Sequence, residues 1–410
     1  MKGRAVLVVG LNYAPEPVGI GPYTAGLAEA LTARGARVQV IAGKPYYPQW
    51  RTMPGYAGGS WISGSENGVT ITRCPLYVPA APSGLKRIVH LASFALSALF
   101  PALRAALRRK GERPDLVIVV APALLSVATA WLTARLAGAR LWLHVQDFEV
   151  EAALATGLLG ARGSLARLAG WVEKRLLRLG DKVSTISPQM CARLAEKGVA
   201  ATRIFEMRNW PDARFAPDPI GAEVLRAEWG LTGKVVALYS GNIARKQGIE
   251  ILVEAAQLLQ DRRDIAFVIC GEGPTRAELE RLAAGLPNVQ LHDLQPAERM
   301  GAMLTMADLH LLPQIAGAAD LVLPSKLTNM LASGRPVVAT ADPGTGLYAE
   351  VEGCGMASPP GDSAALAAAI ADLAADPARR AKLGEAAHQR AAERWQKDAI
   401  IDRAIGILAG

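Results

Sequence analysis

Basic side chains stand at the beginning of two predicted helices in the C-terminal half of the sequence. The loop Ser240–Gly248 (SGNIARKQG) carries Arg245 and Lys246 just before one helix, and Lys326 follows Ser325 at the start of another. The helix dipole disfavours a cation at this end by about 0.3–1 kcal/mol. One lysine–phosphate pair at about 4 Å is worth about 4 kcal/mol at an effective dielectric of about 20. The placement therefore favours a phosphate ligand over an incidental surface lysine or a solvated basic loop.

A second group of residues is suited to holding the same ligand through the backbone or through neutral polar groups. Glycines in three βα loops let the main chain approach a ligand closely, and a helix N-terminus offers free N–H groups to an anion. Ser325 is predicted to cap its helix, and Asn329 falls one turn after Lys326, within reach of ribose hydroxyls. Besides the three cations, the expected ligand-binding residues are Gly19, Gly21, Gly241, Asn242, Gly271, Gly273, Ser325 and Asn329. The alternative for each glycine is an ordinary flexible loop.

Three other kinds of phosphate site are missing from the sequence. It contains no D-x-D, which would clamp a diphosphate through a metal ion, and no G-x-x-x-x-G-K-[ST] of a P-loop NTPase. The first βα loop lacks G-x-G-x-x-G, and Arg276 occupies the third glycine position after Gly271, so a nicotinamide oxidoreductase is a weak alternative. The sequence therefore predicts a diphosphate held by cations and helix termini, with no metal and no cofactor.

Candidate residues for a second substrate lie in the N-terminal half. The segment Tyr46–Trp61 is rich in aromatic residues, proline and glycine, so Tyr47 and Trp50 either stack on a sugar or pack on their own domain. Asp147 and Glu149 follow a predicted strand, where their carboxylates either meet substrate hydroxyls or line the start of a helix. Glycosidase-like use of two carboxylates is disfavoured, because it would leave the cationic loops without a purpose.

These residues belong to a repeated pattern in which an apolar run, a glycine-containing loop and a helix alternate. Continuously apolar strands alternating with helices predict a parallel sheet that is covered on both faces. The proline-rich segment Asn209–Pro219 marks a connection between two such regions. We predict two doubly wound, Rossmann-like α/β domains facing a cleft, residues 1–208 and 209–385, with ligands at the carboxyl ends of the strands.

Composition sets the remaining limits. With 410 residues, 51% of them apolar, the chain is too apolar for a disordered protein and suits two to three domains. The net charge of +8 favours anionic partners, whereas an aromatic content of 5% argues against nucleic acid. The four cysteines lie far apart and the N-terminal apolar run is short, so we expect a cytoplasmic protein. Leu85–Arg113, apolar between basic ends, is typical of a helix on an anionic inner-membrane surface or of a core helix.

Four motifs, in this order along the chain, resemble those of glycosyltransferase family 4, in particular its bacterial exopolysaccharide branch for colanic-acid biosynthesis. They are NYAPEPVGIGPYTAGLAEAL, YSGNIARKQGIE, GEGP and LVLPSKLTNMLASGRPVVAT. The resemblance runs over nearly the whole chain. It implies the GT-B fold, in which the first Rossmann-like domain binds an acceptor and the second binds a nucleotide-sugar. Residues 386–410 would then pack back on the first domain.

The resemblance also implies the reaction. It is the metal-independent transfer of a sugar, with retention of anomeric configuration, from a nucleotide-diphosphate-sugar to a hydroxyl of a saccharide or lipid-linked saccharide. The histidine that the family places near the transferred sugar would be His144, and Asp320 is the nearest acid to a donor-contacting glutamate position. Together with Lys326 these residues form the expected catalytic set. GDP-fucose is the first donor implied, followed by UDP-linked hexoses.

At four family positions the residue type differs. Leu321 and Asn329 stand at the two family glutamates, and Asn242 and Gln247 stand at the two basic positions of the phosphate loop. The cationic role is therefore expected to pass to Arg245 or Lys246, helped by Lys326. A nucleotide-sugar epimerase of the same two-domain build remains an alternative, and it would form product from the donor alone. A non-catalytic membrane or nucleic-acid binder is the other alternative, which nucleotide-sugar turnover would exclude.

Overall fold

A computed structural model describes residues 1–17, 19–80, 83–151, 164–211, 216–244, 247–315 and 323–409 of the chain. The chain divides into two compact units. Unit 1 comprises Met1–Met207 and Ile401–Gly410, and unit 2 comprises Arg208–Ile400. Each unit is built on one sheet with helices packed against it.

Unit 1 contains an eight-stranded sheet. Its strands are β1 (Ala5–Gly10), β2 (Arg37–Gly43), β3 (Ile62–Glu66), β4 (Val69–Cys74), β5 (Leu116–Ala121), β6 (Arg140–Val145), β7 (Lys182–Thr185) and β8 (Ile204–Glu206). The order is β3-β4-β2-β1-β5-β6-β7-β8, and all pairs are parallel except β3–β4. Every residue of β1 and β5 is buried, as expected for central strands of a sheet covered on both faces.

The helices of unit 1 connect these strands. They are α1 (Gly21–Ala33), α2 (Gly84–Ala106), α3 (Ser126–Ala137), α4 (Ser164–Leu177) and α5 (Pro188–Glu196). Local sequence explains where α5 begins, because the Ser187 hydroxyl accepts the Met190 N–H and Pro188 occupies the first helical position.

Unit 2 contains a six-stranded sheet in which every pair is parallel. Its strands are β9 (Val235–Ser240), β10 (Ile265–Cys270), β11 (Val289–His292), β12 (Leu309–Leu312), β13 (Val337–Thr340) and β14 (Gly355–Ser358). The order is β11-β10-β9-β12-β13-β14. The apolar residues of β9 and β10 form the centre of the core, where Tyr239 and Phe267 are fully buried.

The remaining helices surround this second sheet. They are α6 (Pro219–Glu228), α7 (Glu250–Leu258), α8 (Arg276–Ala283), α9 (Met300–Met306), α10 (Lys326–Ala332), α11 (Gly346–Val351), α12 (Ser363–Ala375), α13 (Pro377–Trp395) and α14 (Lys397–Ala409). The last helix, α14, ends within unit 1, where Asp402 accepts a bond from Arg34 Nε at 2.6 Å and the Leu408 carbonyl accepts one from Arg140 at 2.9 Å.

The predicted α/β class with two parallel sheets is confirmed. The β3–β4 hairpin is an addition that the pattern did not predict. Strand β3 (ISGSE) is polar and mostly exposed, so it lacks the apolar run by which the other strands are recognised. In both sheets the central strands, β1 and β9, open onto loops at their carboxyl ends, and these loops carry the candidate site residues.

Candidate active site

In unit 2 the turns after β9 and β10 are packed backbone to backbone. Gly241 N–H donates to the Cys270 carbonyl at 2.9 Å, and Ile243 N–H donates to the Glu272 carbonyl at 2.8 Å. A Cβ at Gly271 would overlap the Gly241 carbonyl oxygen, because only glycine leaves room for this approach. The glycines that the sequence predicted as ligand-binding residues therefore let these two turns pack in direct contact.

The Gly273 position is equally crowded, since a Cβ there would overlap the Ile243 carbonyl oxygen. Arg276, whose role the sequence did not reveal, also fixes this turn. Its Nη1 donates to the Gly271 carbonyl at 2.5 Å and to the His292 carbonyl at 3.1 Å. In the sequence, Arg276 stood out only because it occupies the third glycine position after Gly271.

Lys326 reaches the same turns from the start of α10. Its ammonium donates to the Tyr239 hydroxyl at 2.9 Å and lies 4.1 Å from the centre of the Tyr239 ring. The Tyr239 hydroxyl donates in turn to the Asn242 carbonyl at 2.7 Å, and burial raises the pKa of this phenol. A Cβ at Gly241 would lie 2.9 Å from Lys326 Nζ. The structure thus brings Lys326, Gly241 and Asn242 together, as the sequence predicted.

The predicted cap of α10 is wrong. Ser325 has helical backbone angles (φ −57°, ψ −26°), and its side chain makes no capping hydrogen bond. A capping residue needs a non-helical backbone to turn its side chain toward the first free N–H groups. Asn329 lies half-buried one turn beyond Lys326, on the same side of the helix. Arg245, Lys246 and Asp320 lie outside the described residues.

In unit 1 a buried carboxylate that the sequence did not reveal joins the first two βα loops. Glu16 is 2% exposed, and its Oε1 accepts the N–H groups of Tyr46 and Tyr47, each at 3.0 Å. Its Oε2 accepts from the Asn12 amide at 2.8 Å, and burial raises the pKa of the carboxyl. A Cβ at Gly19 would lie 3.2 Å from the Tyr47 ring. The predicted donor loop and the predicted acceptor loop are therefore held together in this unit.

Gly21 begins α1 in that loop, where a Cβ would lie 3.1 Å from the Glu16 Cβ. In the next loop, Trp50 packs on its own unit. Its ring centre lies 5.4 Å from those of Tyr46 and His90, and the Arg87 guanidinium lies 5.4 Å from it. These contacts agree with the alternative in which the aromatic residues of this loop pack on their own domain. A sugar-stacking role for Tyr47 and Trp50 stays a prediction.

His144 lies inside β6 and is 1% exposed. Its Nδ1 is 2.8 Å from the Ser184 hydroxyl, which also accepts the Trp142 indole N–H at 2.7 Å. Its Nε2 is 3.0 Å from the Gln146 amide nitrogen, and burial lowers the pKa of the imidazole to about 4. Both ring nitrogens are engaged within unit 1, and the predicted role of His144 near the transferred sugar stays a prediction.

Glu149 holds the loop that precedes α3. Its carboxylate accepts the N–H of Ala123 at 3.0 Å and that of Leu124 at 2.9 Å. Burial raises the pKa of Glu149 to about 7. The Glu149 carboxylate therefore lines the start of α3, which was one of the two alternatives for this residue. Asp147 is exposed and accepts the N–H of Phe148 at 2.8 Å, and its predicted contact with an acceptor stays a prediction.

Two protein-family models cover most of the chain. The Glycosyl transferase 4-like domain matches residues 18–210, and Glycosyl transferases group 1 matches residues 222–390. The WcaI protein of Escherichia coli K12, named for glycosyl transfer in colanic acid biosynthesis, is 45% identical over 345 residues, which cover 82% of this chain and 83% of WcaI. The chain belongs to glycosyltransferase family 4. It is a transferase of the hexosyltransferase class, as the motifs predicted.

Solved structures share the fold of this transferase. Sucrose-phosphate synthase from Thermosynechococcus elongatus has a TM-score of 0.72 at 21% identity, covering 99% of this chain and 98% of that one. HepE from Anabaena, solved in complex with UDP, has a TM-score of 0.71 at 16% identity, covering both chains completely. WaaG, of lipopolysaccharide biosynthesis, has a TM-score of 0.67 at 17% identity over 99% of this chain and all of WaaG. These similarities establish the GT-B fold of the transferase.

Proposed function

We propose that the protein moves a sugar from a nucleotide-diphosphate-sugar to a hydroxyl of a lipid-linked saccharide in exopolysaccharide biosynthesis, with retention of configuration and without a metal ion. The main support for a donor site in unit 2 is the position of Lys326. Its ammonium is held by Tyr239 beside the glycine turns after β9 and β10. A cation beside turns whose glycines let a ligand approach the backbone closely suits a diphosphate. The acceptor is assigned to unit 1.

Similar proteins support the pathway and the kind of donor. WcaI is named for colanic acid biosynthesis, and it aligns over most of both chains. HepE has been solved with UDP and with UDP-glucose. We take GDP-fucose as the first donor to test and UDP-linked hexoses as the second. A thermal-shift screen separates them, because a ligand at a hundred times its Kd adds about 2.7 kcal/mol of stability.

The mechanism requires stabilisation of the leaving group above all. Negative charge develops on the nucleotide diphosphate as the bond to the sugar breaks, and the Lys326 ammonium would stabilise that charge where it forms. A donor phosphate oxygen would then take the proton of the acceptor hydroxyl, so no protein base is needed. The buried, neutral His144 fits this scheme, because it would position Gln146 and would transfer no proton.

Metal independence rests on the sequence, which lacks a D-x-D, and on a lysine in the place where a cation is needed. Full activity in excess EDTA is the expected result. An absolute requirement for Mn²⁺ would contradict this part of the proposal.

The direct test is the Lys326→Ala variant. We expect kcat to fall about 10²–10³-fold, the loss typical of removing one group that stabilises developing charge. Lys326→Arg should recover part of this loss, because it restores the charge with a different shape. The control is Lys382→Ala, which removes an exposed lysine of α13. Near-normal turnover of Lys326→Ala with an unchanged melting temperature would remove Lys326 from the mechanism.

A further inference from the structure

Helix α2 presents apolar side chains to solvent along its full length. Leu85, Leu96 and Phe100 are 74%, 72% and 62% exposed. The spacings of eleven and four residues place these side chains on one face of the helix. We call this surface the α2 ridge. Its members are Leu85, Val89, Leu96, Phe100, Leu107 and Trp61.

The opposite face of α2 is packed against the rest of unit 1. His90, Phe94 and Ala98 are buried there, and the Thr129 hydroxyl of α3 donates to the Ala95 carbonyl at 3.1 Å. A surface helix normally turns its apolar face inward and its charged face outward. Here both faces are apolar, and a continuous exposed apolar stripe marks an interaction surface.

Trp61, from the chain just before β3, extends the ridge. Its indole N–H donates to the Ser97 carbonyl at 3.1 Å, and its ring centre lies 5.7 Å from that of Phe100. Tyr77, 43% exposed, stands nearby, since its N–H donates to the Ser93 hydroxyl at 2.9 Å. Amphipathic aromatic rings are enriched at the level of lipid headgroups.

The charges around the ridge identify its partner. Residues 83–113 contain seven basic residues and one acidic residue, with basic groups at both ends of the apolar stripe. An apolar stripe between clusters of lysine and arginine suits a helix that lies in the plane of an anionic membrane surface. A second copy is disfavoured, because a two-fold axis through the ridge would bring basic ends of the two helices together.

We infer that the α2 ridge docks unit 1 on an anionic phospholipid bilayer, with α2 parallel to the surface. By length and composition alone α2 is also long enough to cross a membrane, but its buried face remains part of the protein core. This inference rests on the proposed function and deepens it, because it names the surface on which a lipid-linked acceptor would be met.

The helix that carries the ridge also contacts the predicted acceptor loop. His90, on the buried face of α2, lies with its ring centre 4.7 Å from that of Tyr46 and 5.4 Å from that of Trp50. Arg87, at the basic end of the ridge, lies over the Trp50 ring. Docking of α2 therefore places the Tyr46–Trp50 segment close to the lipid headgroups, where the phosphate and first sugars of a lipid-linked acceptor lie.

The experiment is flotation of the full-length protein with vesicles of phosphatidylglycerol and phosphatidylcholine. Binding to anionic vesicles at low salt is expected, with little binding to pure phosphatidylcholine and a marked loss at high salt. Leu96→Glu with Phe100→Glu should lower binding at least tenfold. The matched control is Ile220→Glu with Val224→Glu, which changes two exposed apolar residues of α6 in unit 2 and should leave binding unchanged. Arg108→Gln should lower binding about fivefold.

Absence of binding to anionic vesicles at low salt, or equal loss in the ridge and control variants, would overturn the inference. So would a concentration-dependent dimer that the ridge substitutions abolish, because the ridge would then belong to a second copy. The melting temperature and circular dichroism spectrum of the ridge variant show whether it is folded, and titration with GDP and UDP tests the donor site in unit 2 separately. Vesicle binding without nucleotide binding would contradict the proposed function alone, and nucleotide binding without vesicle binding would contradict this inference alone.

Discussion

The two units position their candidate site residues by different means. In unit 2 two backbone turns lie in contact, and one lysine reaches them from a neighbouring helix. In unit 1 the loops are held by buried carboxylates, since Glu16 accepts two N–H groups of the second loop and Glu149 accepts two from the loop before α3. Backbone contacts between glycine turns therefore build one site, and side-chain carboxylates that accept backbone N–H groups build the other. Each of the following predictions tests this contrast.

The largest effect is expected for Gly271→Ala. The added Cβ would overlap the Gly241 carbonyl oxygen, so the two turns must separate. We expect unit 2 to lose about 3 kcal/mol or more of unfolding free energy, together with all nucleotide binding. Urea unfolding and calorimetric titration with UDP and GDP measure the two effects. Gly59→Ala is the control, since its Cβ meets no atom within 4 Å. Equal stability of the two variants would show that the turns are not tightly packed.

An intermediate effect is expected for Glu149→Gln in unit 1. The amide cannot accept both backbone N–H groups as the carboxylate does, so the variant should lose about 1–3 kcal/mol of stability at pH 8. Chemical unfolding of the variant and the parent at this pH measures the difference. No loss would show that the two hydrogen bonds contribute little to unit 1.

The pH dependence of stability gives a second test of Glu149. Its pKa is raised from 4.5 to about 7 in the folded protein, so the folded state holds a proton that the unfolded chain has lost. This contribution favours folding at low pH and is lost as the pH rises from about 4.5 to about 7. Glu149→Gln should remove that part of the slope, whereas Glu112→Gln, at an exposed site, should keep it. Identical slopes in both variants would contradict the assignment.

The smallest effect is expected for Tyr239→Phe. The ring remains under the Lys326 ammonium, but the hydroxyl that bonds Lys326 and the Asn242 carbonyl is lost. One such hydrogen bond is worth about 1 kcal/mol, so the affinity for a nucleoside diphosphate should fall about fivefold while that for the nucleoside stays constant. Tyr348→Phe is the control, because the Tyr348 hydroxyl makes no hydrogen bond to a described residue. Equal losses for nucleoside and diphosphate would show that Tyr239 does not act through Lys326.

Much of the fold was predictable because its strands are continuous apolar runs. LVIVVA of β5 and IAFVIC of β10 are buried at every position, and their identity follows from composition alone. The exposed strand β3 carries no such signal. In the donor site, Gly271 and Lys326 were identifiable because the motifs are local.

Other features of the candidate site depend on contacts and backbone angles that the sequence does not reveal. Glu16 bonds to residues 30 and 31 positions away, and nothing in its sequence neighbourhood indicates this. His144 stands within one residue of a strand end, yet its ring points into the core toward Ser184. Ser325 precedes a helix as a capping residue does, but its own backbone is already helical.

The central claim is that Lys326 and the glycine turns hold a nucleotide diphosphate. A crystal structure of the protein with GDP or UDP, grown without divalent ions, tests it most directly. We expect Lys326 Nζ within about 3 Å of a phosphate oxygen, with the diphosphate lying against Gly241 and Gly271. A nucleotide bound elsewhere, or bound here with Lys326 turned away from its phosphates, would contradict it.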